Sequence, residues 1–196
     1  MRYILLSVLV ASAAPGAGPY FGLKANQPIA DNMRTTYGMM PVVSAGVRFP
    51  RSANLALLGG VSGSYALGMG EFKKYNVWDA ALRFGLEFTP SSVLGWYLTP
   101  GMMLAYASEQ MPSADTLGNI TRGSYGGAGL GLFLDTGVML FQAAGWDFCV
   151  QAGADILSVP TNREPGVYPG WSPWYHYSID LSTINLGLVV RRVGGE

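Results

Sequence analysis

The chain has 196 residues, of which 49% are hydrophobic and only 12% are charged, roughly half the charge usage of an average soluble domain. Lys+Arg and Asp+Glu residues are equal at 12 each. The chain therefore lacks the basic excess that is typical of nucleic-acid-binding proteins. The single cysteine, Cys149, and the single histidine, His176, exclude an intrachain disulfide and a Cys/His metal cluster, and we expect no cofactor.

The first thirteen residues are organised as a secretory signal peptide. Arg2 supplies a positive charge, residues 3–11 form a short apolar run, and Ala11-Ser12-Ala13 matches an A-x-A cleavage site. The apolar run is too short for a membrane-spanning helix. We therefore predict an exported protein, cleaved after Ala13, with one mature domain over residues 14–196.

Alternation with a period of two recurs along the mature chain and is typical of strands with two different faces. In residues 78–89 the apolar side chains of Trp78 and Phe84 share one face, whereas Asp79 and Arg83 share the other. The eight predicted strands are residues 19–25, 39–49, 55–67, 78–89, 96–107, 127–135, 146–156 and 177–192.

The last predicted strand changes phase along its length. Ile184 lies on the apolar face of its second half, but Ile179 and Leu181 in the first half fall in the opposite phase. A single extra residue in a strand produces such a shift, so we predict a β-bulge near Ser182-Thr183.

The connections between the predicted strands alternate in length. The long ones are residues 26–38, 68–76, 108–122 and 159–176, and the short ones are residues 50–54, residues 90–92 and a turn within residues 135–145. An up-and-down barrel with long loops at one rim and tight turns at the other has this pattern. The sequence thus predicts an all-β, up-and-down antiparallel barrel of about eight strands.

The two faces of the predicted strands indicate a membrane barrel. The polar face carries Gly, Ser, Ala and a few charges, whereas the apolar face carries the large residues. The interior of an eight-stranded barrel is only wide enough for side chains, so the small polar face belongs inside and the large apolar face contacts lipid. With the signal peptide, this predicts a multi-pass barrel in a bacterial outer membrane, surrounded by outer-membrane lipid and lipopolysaccharide.

Patterns of glycine and alternation along the whole mature chain resemble those of a known superfamily. The segments that carry the resemblance are residues 18–24, 98–106, 126–132 and 184–192. They are similar to the small outer-membrane barrels typified by outer-membrane proteins A, X and W and the opacity proteins. The resemblance implies an eight-stranded, porin-like transmembrane barrel. Barrels of that superfamily usually end on an aromatic residue, whereas this sequence ends Val193-Gly-Gly-Glu196.

Nine charged residues fall on the face predicted to line the lumen. A buried charge without a partner costs several kcal/mol, so we expect an ion-pair network that fills the barrel, with Arg83 at its centre between Asp79 and Glu87. An open lumen would instead favour a minor channel or carrier for a small or hydrophobic solute. The expected network comprises Lys24, Arg48, Asp79, Arg83, Glu87, Asp135, Asp147, Asp155 and Arg191.

The fourth long connection is rich in aromatic residues and proline. Rigid aromatic surfaces stack on sugars and anchor protein partners, so one interpretation is a glycan-binding or protein-binding surface on the extracellular loops. The other is an extension of the aromatic girdle that packs over the barrel mouth. The candidate binding residues are Tyr168, Trp171, Trp174, Tyr175, His176 and Tyr177.

A catalytic alternative rests on His176-Tyr177-Ser178, which matches the His-x-Ser triplet of lipid A deacylases, with Asp180 on the same strand face. An acid–His–Ser relay of this kind activates a hydroxyl nucleophile. The following Ile179-Asp180-Leu181 departs from that family's Asn-Ala-Gly, and no glutamate occurs in residues 188–191. We therefore favour a non-enzymatic barrel with a structural or adhesive role, with solute passage and lipid A modification as the alternatives.

Overall fold

The computed structural model describes residues 16–91, 95–114, 120–161 and 178–192, and in these ranges it contains nine strands and one α-helix. The helix α1 (Asp31–Tyr37) follows the first strand, and a 3-10 turn (Gly70–Phe72) follows the third. Within the same ranges no helix is long and apolar enough to cross a membrane. The strands are β1 (Gly18–Pro28), β2 (Met40–Ser52), β3 (Leu55–Leu67), β4 (Asn76–Ser91), β5 (Trp96–Ala114), β6 (Ile120–Ala143), β7 (Trp146–Pro160), β8 (Ser178–Asp180) and β9 (Thr183–Arg192).

All strand pairs are antiparallel and together they close a barrel. Each strand from β1 to β6 pairs with the next, β7 pairs with both β8 and β9, and β9 pairs with β1. The pairs Ser158↔Asp180 and Asp155↔Thr183 follow one register, so β8 and β9 are two segments of one barrel strand. The predicted up-and-down barrel of about eight strands is confirmed.

The bulge predicted in the last strand is wrong. The strand is interrupted at residues 181–182, but its register with β7 is the same on both sides, so no residue is inserted. Ile179 and Leu181 are buried in an apolar cluster inside the barrel, whereas the sequence argument assumed that apolar side chains face outward. At the interruption the Ser182 N–H donates to Asp180 Oδ1 (2.9 Å), and the Ser182 carbonyl accepts from the Ile29 N–H (2.9 Å).

Large apolar side chains face outward around the whole barrel, as their alternation predicted. On β4, Leu82 and Phe84 are about half exposed, while the intervening Arg83 is buried. Among the outward residues that are most exposed, the exposed fraction ranges from 38% for Trp78 to 76% for Leu130. Away from the loop rim, the strands therefore present an apolar outer face and a mostly small or charged inner face.

The two ends of the barrel differ in their connections. At one end, which we call the turn rim, short connections join β2 to β3, β4 to β5 and β6 to β7; at the other, the loop rim, longer connections follow β1, β3, β5 and β7. The turn between β6 and β7 consists of Ala144 and Gly145, both with positive φ (51° and 79°), as a type I′ hairpin turn requires. The predicted alternation of long and short connections is thus present.

The third long connection is shorter than predicted. Pairing of β5 with β6 continues from Trp96↔Val138 to Ala114↔Ile120, so most of residues 108–122 are strand. The β4–β5 ladder ends at Val77↔Glu109, and beyond it β5 and β6 extend past the loop rim as a two-stranded ribbon. We call residues 110–114 and 120–124 the β5–β6 ribbon. The ribbon is strand because its backbone groups are paired, although its polar composition suggested a loop.

Replacing Ala144 with asparagine should stabilise the barrel. Alanine at positive φ carries a steric cost of about 1 kcal/mol, whereas Asn-Gly is the preferred type I′ pair. We expect the free energy of unfolding, from urea titration of the folded protein in detergent, to rise by about 0.5–1 kcal/mol. Ala143→Asn, at the neighbouring strand end, is the matched control and should give no gain. An equal or lower value for Ala144→Asn than for wild type would contradict this turn geometry.

Candidate functional site

The lumen of the barrel holds a set of buried charged side chains. Inward positions are even-numbered on β1 and β2 and odd-numbered from β4 onward, because successive side chains in a strand point to opposite faces. The most deeply buried of these charged residues, each no more than 8% exposed, are Lys24, Arg83, Glu87, Glu109, Asp135, Asp155 and Arg191. Glu109, near the loop-rim end of β5, was not among the lumen charges expected from the sequence, because residues 108–122 were predicted as a connection.

Four of these residues form a chain of ion pairs at the middle of the lumen, which we call the middle quartet. Lys24 Nζ lies 2.9 Å from Asp135 Oδ1, and Arg83 Nη2 lies 3.3 Å from Asp135 Oδ2. Arg83 also binds both carboxylate oxygens of Asp155, at 3.0 and 3.1 Å. Two cations and two carboxylates alternate, so the quartet carries no net formal charge.

A second chain of four lies nearer the turn rim, and we call it the turn-rim quartet. Arg48 Nε lies 2.8 Å from Glu87 Oε1, and Arg191 Nη1 lies 3.0 Å from Glu87 Oε2. Arg191 Nε lies 3.1 Å from Asp147 Oδ2. This quartet has the same alternation and the same zero net charge as the middle quartet.

An aromatic ring supports the central arginine of each quartet. The guanidinium carbon of Arg83 lies 4.0 Å from the centre of the Phe133 ring, and that of Arg191 lies 4.7 Å from the centre of the Tyr97 ring. A guanidinium over a ring face is electrostatically favourable, more so when desolvated. The Tyr97 hydroxyl donates to Gln151 Oε1 at 3.1 Å. These contacts fix the orientation of each guanidinium plane relative to the carboxylates that it binds.

The structure brings eight of the nine expected lumen charges into ion pairs, but the pairs differ from those expected. Arg83 binds Asp135 and Asp155 across the lumen, not Asp79 and Glu87 on its own strand. Residues four apart on a strand are separated by about 13 Å, beyond the reach of a direct ion pair. The ninth residue, Asp79, accepts a hydrogen bond from the Ser64 hydroxyl on β3.

Two small cavities lie in the described part of the lumen, and Arg83 lines both. The larger, of about 50 Å³, is bordered by Glu87 and Tyr97 as well. The smaller, of about 20 Å³, is bordered by Asn26 and Asp79. Volumes of this size hold one or a few water molecules, and the middle quartet stands between them.

Apolar side chains fill the lumen at the loop rim. Met33 and Tyr37 of α1 are 1% and 3% exposed and pack with Met103, Leu157 and Ile179 from the barrel wall. We call this cluster the loop-rim plug. Residues 26–38 were predicted as a polar loop; the helical spacing of Met33 and Tyr37, four positions apart, was the available signal for α1.

Two hydrogen bonds connect α1 to neighbouring segments at the loop rim. The Met69 N–H donates to the Thr36 carbonyl at 2.7 Å, and the Tyr37 hydroxyl donates to the Gln110 carbonyl at 3.2 Å. The helix is therefore held by its buried side chains, by the connection that follows β3 and by the β5–β6 ribbon.

The remaining sequence-based candidates lie mostly outside the described residues. This holds for the signal peptide and for Tyr168, Trp171, Trp174, Tyr175, His176 and Tyr177. Of the proposed relay, Ser178 and Asp180 are described; Ser178 is exposed on β8, and Asp180 Oδ1 accepts the Ser182 N–H. In the described ranges no group of three His, Cys, Asp or Glu residues is arranged to hold a metal ion.

Aromatic residues border the apolar outer surface near both rims. Trp78 and Phe88 lie ten positions apart on β4, which is about 33 Å along a strand and about 25 Å along the axis of a barrel whose strands tilt by ~40°. The outward residues between them are Ala80, Leu82, Phe84 and Leu86. The height of this apolar band matches that of transmembrane barrels.

No protein-family model and no curated protein sequence matches the chain. Among solved structures it is similar to Neisserial surface protein A (12% identity, 90% of this chain and 95% of that chain, TM-score 0.48). It is also similar to a major outer membrane protein from Thermus thermophilus (15%, 88% and 99%, 0.49) and to the β domain of the Bordetella autotransporter BrkA (16%, 88% and 70%, 0.48).

Replacing Arg83 with methionine should lower the free energy of unfolding by about 3–5 kcal/mol, because Asp155 and one oxygen of Asp135 then remain buried without a cation. Urea titration of the folded barrel in detergent measures this. The control is Arg34→Met, which removes an exposed ion pair with Asp31 and should cost about 1 kcal/mol or less. Equal costs for the two variants would show that the middle quartet does not contribute as an ion-pair network.

Proposed function

We propose that this chain is an integral β-barrel of a bacterial outer membrane, and that its role is non-enzymatic, structural or adhesive, through its extracellular connections. The observation that carries the proposal is the distribution of side chains: charged residues lie buried in a narrow lumen, and large apolar residues lie exposed around the outside. A soluble barrel has the opposite arrangement.

The outer surface supports a membrane environment. Contiguous apolar surface on this scale would associate in water, whereas it is favourable against hydrocarbon. Hydrocarbon offers no hydrogen-bond partners, so a sheet within it must close on itself, as this one does through β1 and β9. The aromatic residues at the borders of the band, such as Trp78 and Trp96, suit the headgroup region.

The loop rim is assigned to the extracellular side. Outer-membrane barrels place short turns in the periplasm and longer loops outside. In this orientation α1 and the β5–β6 ribbon lie on the exterior side of the barrel. Beyond Glu109, where the β4–β5 ladder ends, the edge of β5 in the ribbon offers backbone groups to which an extended partner segment can add as a further strand.

The filled lumen favours a structural barrel rather than a channel. The middle quartet and the loop-rim plug occupy the cross-section, and the two described cavities are of water size. Widening this path would break ion pairs among Lys24, Arg83, Asp135 and Asp155, which costs several kcal/mol.

An adhesion assay tests the extracellular role. Cells that produce the full chain should bind immobilised host-type glycans or matrix proteins, and replacing residues 110–124 with a short Gly-Ser turn should reduce the number of bound cells severalfold. The ribbon variant must still fractionate with outer membranes and show a heat-modifiable gel shift. Equal binding by cells with and without the protein would contradict an adhesive role, and absence of wild type from outer membranes would contradict the membrane assignment.

Planar-bilayer recordings test the channel alternative. Because the lumen is filled, we expect the purified, folded wild-type protein to give no discrete conductance steps, under conditions where a reference porin does. Reproducible steps from the folded protein would favour the minor-channel interpretation.

A further inference from the structure

The outer surface of β1 to β6 contains an apolar groove within the band. Register places Gly63 beside Val43 on one side and Ala80 on the other, and Ala80 beside Tyr106. The small side chains at these positions leave a depression of about 880 Å³, within the ~300–1,000 Å³ range of small-ligand pockets. We define the outer groove by its outward-facing lining residues: Phe21, Val43, Ala45, Val61, Gly63, Ala80, Leu82, Leu104, Tyr106 and Ala128.

The end of the outer groove nearer the loop rim is bordered by aromatic side chains. Trp78 pairs with Tyr65 and lies two positions beyond Ala80, and its ring centre lies 5.5 Å from that of Tyr106. Tyrosine and tryptophan carry polar atoms on large apolar rings and are favoured at the headgroup level. The groove therefore begins just beneath the headgroup region of the outer leaflet, in the orientation proposed above.

Two lysines lie in the connection directly beyond this aromatic border. Lys73 and Lys74 are exposed in residues 68–75, which join β3 to β4, the two strands that carry Gly63 and Ala80. Glu71 is the remaining charged residue of this connection, so the connection has a net charge of +1. Along the direction from the turn rim to the loop rim, the apolar groove is therefore followed by the amphipathic rings and then by the two lysines.

We propose that the outer groove binds one acyl chain of a phosphorylated glycolipid of the outer leaflet, with a lipid phosphate at Lys73 and Lys74. The inference rests on the proposed outer-membrane location. A concave apolar site increases dispersion contacts with a chain over those on the convex remainder of the barrel, and basic residues near an anionic headgroup add electrostatic attraction.

A second copy of this chain fits the same surface less well. Two copies in one membrane that met through this groove would be related by a two-fold axis and present the same patch to each other. Lys73 and Lys74 of both copies would then lie at the same height beside the interface and repel. A phosphorylated lipid supplies the opposite charge at this place.

Native mass spectrometry of the full folded protein in a neutral detergent tests the proposal, with hexa-acylated, bisphosphorylated lipid A as the probe. Wild type should retain one lipid per barrel. Ala80→Phe, which fills the groove, should weaken binding at least tenfold, and Lys73→Gln with Lys74→Gln should weaken it by about thirtyfold. Ala152→Phe, at an exposed outward alanine on β7, is the matched control and should bind as wild type does.

Two further probes separate the acyl chain from the phosphate. Dephosphorylated lipid A should bind the wild type and the lysine variant equally, and inorganic phosphate alone should not compete. Unchanged binding by Ala80→Phe, an equal loss in Ala152→Phe, or a wild-type dimer that Ala80→Phe converts to a monomer would overturn the proposal. If wild type fractionates with outer membranes but does not retain lipid A, this inference fails while the proposed membrane location stands.

Discussion

Closure of the backbone hydrogen-bond ladder is the constraint on which the rest of the structure depends. A sheet surrounded by hydrocarbon must pair every backbone N–H and C=O within itself, and here the pairing of β9 with β1 and β7 completes the ring. Eight barrel strands leave an interior that is only as wide as side chains can fill. Both the volume and the charge of the inward-facing side chains therefore limit which residues the lumen can hold.

The narrow lumen accounts for both the neutrality of its charge clusters and the placement of its glycines. Each quartet alternates two cations with two carboxylates, because a buried charge without a partner costs several kcal/mol. Space for the supporting rings comes from facing glycines: a Cβ at Gly101 would collide with the Phe133 ring on which Arg83 rests. Inward-facing glycines of this kind thus leave room for the rings that support the ion pairs.

Sequence periodicity predicted the number of barrel strands and most of their faces, but it did not predict the contacts between strands. The alternation around Arg83 predicted its inward direction correctly, but its partners Asp135 and Asp155 lie 52 and 72 residues away, and their proximity follows from register across several strands. The β5–β6 ribbon was missed because its polar side chains resemble a loop while backbone pairing decides its conformation. The faces of Ile179 and Leu181 were predicted wrongly, because the sequence argument did not allow for apolar side chains inside the barrel at the loop rim.

The loop-rim plug explains why that apolar inward face exists. Once α1 covers the mouth with Met33 and Tyr37, the lumen beneath it is shielded from external water, and apolar side chains there pack as in a soluble core. Shielding also lowers the effective dielectric around the middle quartet, which strengthens its pairs and raises the cost of breaking one. Nearer the turn rim the shielding is weaker, since the Arg48 side chain is 19% exposed. The helix in a loop-rim connection therefore contributes to the stability of charges in the middle of the barrel.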